Sequence, residues 1–311
     1  MALSYSIIIP HYNQADRLRV CLSSIVQRDD IEVIVVDDAS SAACIAKLKS
    51  IEQEFAHTKL IFADRNGGAG KVRNIGLGVA HGERIIFADA DDRFLAGFDD
   101  FLTRNIGNDA DVIYFNAAYE ATEGGKLFYK SSNLNYIMSK EGQRREWELR
   151  YLFTEPWCKA VKRSLIEENG IRFEETRIHN DVHFSAAVGV TASSIDVEAK
   201  PLYCVTETPG SVAKQISHEK MLDWTRVQTR LNLYLSANGI GMFEYKALRP
   251  MITSVVKGRW GEAADHWKVM REEGMEKGEI AKRTALYLIA AVRKGLRNHE
   301  KKKHVIWSDT L

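Results

Sequence analysis

The chain has 311 residues, 45% hydrophobic and 27% charged, with a formal net charge of +1. That is ordinary globular composition, enough for one domain of roughly 200–250 residues plus an appendage, and the near-zero charge excludes the broad basic field of a nucleic-acid binder. No apolar run approaches the ~20 residues that cross a bilayer, and Cys21, Cys44, Cys158 and Cys204 are too widely spaced for a C-x-x-C metal or redox motif, so they read as single thiols of a reducing cytosol.

The chain opens without a basic region ahead of its first apolar run, and that run stops at Pro10, so it reads as a buried strand rather than a signal peptide. Strand and helix signals then alternate. Tyr5–Ile9 is a strand, 16–27 a helix with Leu18, Leu22, Ile25 and Val26 on one stripe, and Ile31–Val36 a second strand. A helix follows over 43–55, then a strand at Lys59–Phe62, a helix over 71–80 and a strand over Arg84–Ala88. Such alternation predicts a mostly parallel sheet covered on both faces, with ligands beyond the carboxyl ends of its strands. From Asp111 the pattern is mixed: a strand at Val112–Phe115, and helices over 139–153 and 162–169. After His218 the reading is helical to the end, with a boundary near Ser217.

Polar groups gather where the sheet rule puts ligands. Asn13, Asp37, Asp38, Asp89 and Asp91 all fall just past a strand end, a pattern core packing has no use for. In Asp89-Ala-Asp-Asp92 the first and third carboxylates share a face and repel unless a cation lies between them; hard divalent cations suit such oxygens. The alternative is a polar turn in which Asp92 caps a helix. Val35-Val-Asp-Asp-Ala-Ser40 places a carboxylate to accept from a base or a ribose, or builds an Asx turn. Asn66-Gly-Gly-Ala-Gly-Lys71 fails both the P-loop and the dinucleotide spacing, and leaves a glycine loop opening a helix whose free N–H groups attract anions, or a flexible turn with solvated cations. His179 and His183 have helical zinc spacing but no H-E-x-x-H pattern; Asp181 between them is the better candidate, as a general base.

Together these segments resemble glycosyltransferase family 2. The resemblance rests on Ser6-Ile-Ile-Ile-Pro-His-Tyr-Asn13, Val35–Ser40, Asn66-Gly-Gly with Val72-Arg-Asn-Ile-Gly76, and Gly82–Asp92, and it covers residues 4 to 215. Further on, Trp157-x-Lys159, Ile171-x-Phe173 and Asn180-Asp-Val-His-Phe184 are similar to later family segments. The resemblance implies a GT-A fold: α/β, Rossmann-like, a mostly parallel central sheet flanked by helices, with a helical C-terminal extension. It implies a catalytic domain over 1–217, its nucleotide-sugar half 1–110 and its acceptor half 111–217, ahead of the helical region 218–311. The implied donor site is Pro10, Tyr12, Asn13, Asp37, Asp38, Gly68, Lys71, Arg73, Asp89 and Ala90, with Tyr12 and Asp38 on the base and Asp37 on the ribose. Asp91, with Asp89 and His218, would hold Mn2+ or Mg2+; Trp157 and Lys159 would shape the acceptor pocket; Asp181 would be the base. Two residues depart from the family pattern: Lys71 stands where a small residue is usual, and Asn180 where Glu is common.

The implied activity is inverting transfer from a UDP-sugar to a hydroxyl of a glycan or lipid-linked glycan, in the cytoplasm, for bacterial surface polysaccharide. A nucleotidyltransferase is the competing enzyme class, but the place of its glycine-rich opening holds Pro10-His-Tyr-Asn13. A non-catalytic sugar-nucleotide binder is the competing class without chemistry, and the intact Asp89, Asp91 and Asp181 argue against it. Between Lys282 and His304, eight basic residues meet one acidic one, with Leu286, Ile289, Val292 and Leu296 at helical spacing. That is a basic amphipathic helix suited to peripheral membrane contact, or an ordinary helix with a solvated charged face.

Overall fold

The apolar run Tyr5–His11 becomes β1, an interior strand of the parallel part of the sheet. β2 (Ile31–Asp37), β3 (Thr58–Phe62) and β4 (Arg84–Phe87) complete a parallel group in the order β3-β2-β1-β4. Ile7–Ile9, Val33–Val36 and Ile85–Phe87 are buried without alternation, as a sheet covered on both faces requires. The helices between them are α1 (Ala15–Ser23), α2 (Ala42–Glu54) and α3 (Gly68–Leu77). α1 stops short of the expected Gln27 because the Ser24 amide and hydroxyl both donate to the Cys21 carbonyl, tightening the last turn.

The computed structural model describes residues 3–123, 126–129, 133–176, 178–207, 217–241 and 246–289. It divides into two compact units, Met1–Lys214 and Gln215–Leu311. In the first, the chain continues through β5 (Arg93–Phe94), α4 (Phe98–Arg104), β6 (Val112–Glu123), β7 (Lys126–Tyr129), α5 (Asn133–Met138), α6 (Gly142–Tyr151), β8 (Lys159–Lys162), α7 (Arg163–Glu168), α8 (Val182–Thr191) and β9 (Ile195–Glu207). The nine described strands form one sheet, β3-β2-β1-β4-β8-β6-β9-β5, with β7 paired to β6. Beyond β4 it turns mixed: β8 is antiparallel to β4 and β6, while β6 and β9 run parallel.

The strand expected at Val112–Phe115 thus runs on to Glu123, and its partner β9 was not among the expected strands. Glu198, Lys200 and Pro201 interrupt it, and the register shifts where Phe115 faces Glu198, Asn116 faces Pro201 and Ala117 faces Tyr203. The bulge accommodates the proline, which has no N–H for a ladder, and Asn116 Nδ2 donates to the Ala199 carbonyl (3.1 Å) across the gap.

The second unit is described by itself. It contains α9 (His218–Ala237), α10 (Leu248–Val256), α11 (Trp260–Glu272) and a helix over 277–289. Ala247, Leu248, Met251, Ile252, Ala263, Met270, Met275 and Ile280 form its core, with Trp267 and Tyr287 packed alongside. Of the basic amphipathic stretch 282–304, only 282–289 falls among the described residues. Among those residues no helix is long and apolar enough to cross a membrane.

α8 lies against α6 at Gly189, where a Cβ would overlap the Arg150 carbonyl well inside contact distance. Gly189→Ala is therefore expected to lose about 1–3 kcal/mol of stability through overpacking. Denaturant unfolding of the two proteins measures this, and equal midpoints would mean that α8 shifts freely.

Candidate active site

The carboxyl ends of β1 and β2 are locked to each other. His11 is buried; its Nδ1 donates to Asp37 Oδ1 (2.8 Å), and its Nε2 accepts from the Gln14 amide (3.1 Å), which fixes a neutral tautomer. Asp37 Oδ1 also accepts from Ser40 Oγ (2.5 Å), and Oδ2 from the Ser40 amide (2.9 Å). Ser40 Oγ in turn accepts from the Asn13 amide (2.8 Å), and Asn13 Oδ1 accepts from the Ser41 amide (2.9 Å). Asn13 (φ 52°) and Ala39 (φ 57°) occupy the left-handed region that side chains rarely adopt, a strain concentrated at this rim. Asp37, the residue implied for the ribose, is buried, and both its oxygens accept hydrogen bonds from the protein. Tyr12 is 50% exposed beside it, and Pro10 is half-buried.

The Asp38 carboxylate occupies the start of α3. The anion at the start of α3 is the protein's own: Asp38 Oδ1 accepts from the Gly67 amide (2.7 Å) and Oδ2 from the Gly68 amide (2.8 Å). A carboxylate satisfying helix-start donors also complements the helix dipole. Gly68 supplies the required turn at φ 84°. Lys71 Nζ lies 3.5 Å from the Arg65 carbonyl.

At the end of β4, Asp89, Ala90, Asp91 and Asp92 diverge. Asp89 Oδ1 accepts from Arg73 Nη2 (2.6 Å). Asp91, about one-third exposed, meets Arg17 of α1 at 3.7 Å. Ala90 is buried. Asp92 caps no helix: it turns inward, its oxygens accepting from the Tyr203 hydroxyl and the Thr206 amide (both 2.8 Å), while that hydroxyl accepts from the Asp89 amide (2.9 Å). Strand β9 is thereby pinned to the acidic segment. Burial, reinforced by Asp89, raises the Asp91 carboxyl above its usual range and Asp92 well above it.

Asp181 arrives on the opposite wall, at the start of α8. Three residues of α3 hold the segment that delivers it. Gly70 lets the backbone approach, because a Cβ there would overlap the Glu174 carbonyl and crowd Asn180. Asn74 donates to the Phe173 carbonyl (3.0 Å) and accepts from its amide (2.9 Å). Arg73, buried over the Phe173 ring, donates from Nη1 to Asn180 Oδ1 (3.0 Å) while its other arm holds Asp89. His179 enters this turn at φ 54°. Burial raises the Asp181 carboxyl above the usual carboxylate range, with Arg73 pulling it down and Asp89 pushing it up.

Trp157 and Lys159, the residues implied for the acceptor pocket, lie in the core beside α8. Trp157 is buried, stacked on Tyr203 and edge-on to Phe153. Lys159 is 1% exposed and donates to the Phe153 carbonyl (3.2 Å), the Glu155 carbonyl and Ser185 Oγ (3.1 Å), so its ammonium ties the 153–155 turn to α8. Cys158 between them has φ 60°. His218 opens α9 in the second unit and pairs with Asp265 (3.0 Å). Among the described residues no three His, Cys, Asp or Glu side chains assemble as a metal set. A cleft of about 660 Å³ lies to one side, lined by Asn13, Arg17, Ser41 and Lys47 among others, and includes none of the acidic residues that follow β4. Arg17 and Tyr203 carried no sequence signal for the site; each reaches it through tertiary contact alone.

A parallel sheet edge that faces an acidic strand end toward a carboxyl on the opposite wall defines a GT-A-type transferase. The profile described as "Glycosyl transferase family 2" matches residues 6–170, more than half of the chain, and the chain belongs to that family. It is similar to EpsH of Bacillus subtilis (strain 168), 30% identical over 211 residues, 64% of this chain and 59% of that one. The chain thus spans about three fifths of that relative's length. The crystal structure of S. aureus TarS 1-349 in complex with UDP-GlcNAc has a TM-score of 0.59 at 19% identity, covering 87% of this chain and 92% of that one. The mannosyltransferase PcManGT from Pyrobaculum calidifontis, in complex with GDP-Man and Mn2+, has a TM-score of 0.55 at 16% identity, covering 96% and 83%. These two establish the fold.

Burial pushes Lys159 down to about 8 from its ordinary 10.5. The unfolded chain keeps that proton to higher pH than the folded one, so between about 8 and 10.5 the unfolded state binds more protons and folding gains stability as pH rises. The stability of wild type relative to Lys159→Met should therefore grow from pH 8 toward pH 10. Parallel stability curves for the two proteins would show that Lys159 keeps an ordinary affinity for its proton.

Proposed function

We propose that this chain is an inverting glycosyltransferase that moves a sugar from a UDP-sugar to a hydroxyl of a glycan or lipid-linked glycan in bacterial surface-polysaccharide synthesis. One observation carries the reading: Arg73 joins Asp89, on the donor side of the cleft, to Asn180, the neighbour of Asp181. Donor chemistry and a candidate base are thereby held together by a single side chain. The likeness to TarS, solved with UDP-GlcNAc, supports a UDP-linked donor. The name of that relative, poly(ribitol-phosphate) beta-N-acetylglucosaminyltransferase, supports a cell-surface polymer as acceptor. In this reading residues 1–217 form the catalytic domain and act at the cytoplasmic side of the membrane.

Tyr12, half exposed at the rim, offers a face for the nucleobase. Pro10, Asn13, Gly68 and Ala90 shape the backbone around the donor. Asp37 and Asp38 act by holding the two loops that surround it, and Lys71 and Arg73 place positive charge on its diphosphate side. The donor set at Asp91 fits a divalent cation: its carboxyl is pushed up by burial and by Asp89, a repulsion that a cation relieves, and hard oxygens are the ligands Mn2+ and Mg2+ take. Asp91, with Asp89 beside it, would hold that ion, which when bound neutralises charge on the leaving diphosphate.

Asp181 performs the proton transfer. Its ionised carboxylate accepts the proton of the acceptor hydroxyl as that oxygen attacks the anomeric carbon and the bond to the diphosphate breaks. A single displacement inverts the carbon, so an α-linked donor gives a β-linked product. Burial favours the neutral acid and so strengthens Asp181 as a base once ionised.

Release of UDP, assayed over UDP-Glc, UDP-Gal, UDP-GlcNAc and UDP-GalNAc with and without manganese, tests the activity; no release from any donor would remove it. Asp181→Asn should lower kcat by roughly 10²–10⁴-fold while the donor KM changes little. Because Asp181 must be ionised to act, wild-type kcat should fall as pH drops through its raised value, and the variant should lack that limb. Wild-type turnover by Asp181→Asn would take the residue out of the base role. Asp91→Ala should abolish the Tm gain that manganese with UDP gives the wild type, and an unchanged gain would place the ion elsewhere.

A further inference from the structure

The second unit carries a corner that none of this chemistry uses. α10 ends at Val256, α11 begins at Trp260, and Lys257-Gly-Arg259 turns between them through Gly258 at φ 70°. All six residues from Val255 to Trp260 are exposed. Val256 exposes 78% and Trp260 68% of its surface, the two highest values among the large apolar residues described. A Cβ added at Gly258 or Gly261 would meet nothing within 4 Å, so the turn stands clear of its surroundings. The apolar stripe of α10 fills the core with Leu248, Met251 and Ile252, then continues past its edge into Val255 and Val256. These side chains project from a convex turn rather than line a groove.

The charge around them has one sign. From residue 246 to 261 every ionisable side chain is basic: Lys246, Arg249, Lys257 and Arg259. The first acid is Glu262, 3.4 Å from Arg259 in an ion pair open to solvent, a weak one. On the same unit Leu286, Leu288 and Ile289 are also exposed, at the start of the basic run that the sequence continues to His304. Isolated exposed apolar residues need no explanation, but a Trp and a Val at one projecting turn among cations do. Tryptophan settles where an apolar body can enter lipid while its N–H stays wet, and lysine and arginine are drawn to anionic headgroups.

We propose that the α10–α11 corner anchors this protein on an anionic lipid surface, Val256 and Trp260 entering among the headgroups while Lys257 and Arg259 meet lipid phosphate. The inference goes beyond the sugar-transfer reading and stands independently of it.

The test is co-sedimentation of the full chain with vesicles of phosphatidylcholine, with and without 30% phosphatidylglycerol, at about 0.15 M salt. Wild type should bind the anionic vesicles at least tenfold more strongly than the neutral ones, and less as salt rises. Val256→Ser with Trp260→Ser, and separately Lys257→Glu with Arg259→Glu, should each weaken binding about tenfold, with UDP release unchanged. These positions are on the surface, so both variants should unfold at the wild-type temperature; if one fails to fold, the other decides. The proposal is overturned if wild type ignores anionic vesicles. It is equally overturned if both corner variants bind like wild type while Lys301→Glu, Lys302→Glu and Lys303→Glu together abolish binding, or if Trp260→Ser instead breaks a dimer that shows no lipid binding.

Discussion

The first unit is organised around one guanidinium. Arg73 is buried, and a buried cation is tolerated only where anions and acceptors surround it. It finds them on two walls: Asp89 at the end of β4 and Asn180 at the entrance to α8. Its third nitrogen, Nε, has no protein partner among the described residues. Losing Asp89 or Asn180 would leave a charge with less compensation in a dry setting, which explains why α3 is so tightly bound to the segment it grips. Gly70 allows the approach, Asn74 fixes its register, and Phe173 lies under the planar cation.

Around this residue the site carries more negative than positive charge. Asp89, Asp91, Asp92 and Asp181 are met by two arginines, Arg73 and Arg17, and burial raises three of the four carboxyls. Local rules are broken nearby as well: Asn13, Ala39, Cys158 and His179 are the described non-glycine residues with left-handed backbone, and each flanks a strand end or the approach to Asp181. Strain and like charge of this kind persist only where the surrounding structure over-determines them, and they concentrate where chemistry is done.

The parallel half of the sheet was legible because Tyr5–Ile9, Ile31–Val36 and Arg84–Ala88 are continuous apolar runs bounded by polar turns. The rim was legible because carboxylates at strand ends have no packing use. β8 and β9 were not: one is four residues long, and the other is broken by Pro201 and the bulge opposite it. With β9 unread, the inward turn of Asp92 toward Tyr203 and Thr206 could not be foreseen. The bonding of Asp37, Asp38 and Lys159 was not legible, for a shared reason. Sequence shows that a polar group stands near a site, but not whether its hydrogen bonds are already taken by the backbone around it. Asp38 is the clearest instance, since the helix start that looked open to an outside anion is filled by a carboxylate from the end of β2.

The grip of α3 on residues 173–180 bears on how such enzymes can be recombined. A chimera that exchanges the chain after β4 for that of a relative replaces Phe173, Glu174 and Asn180 but leaves Gly70, Arg73 and Asn74 behind. The graft junction therefore lies in the packing of a helix against a loop, far from the point where the two sequences are joined. Only a transplant that carries both sides of that seam together would keep the incoming Asp181 in its place beside Arg73 and Asp89.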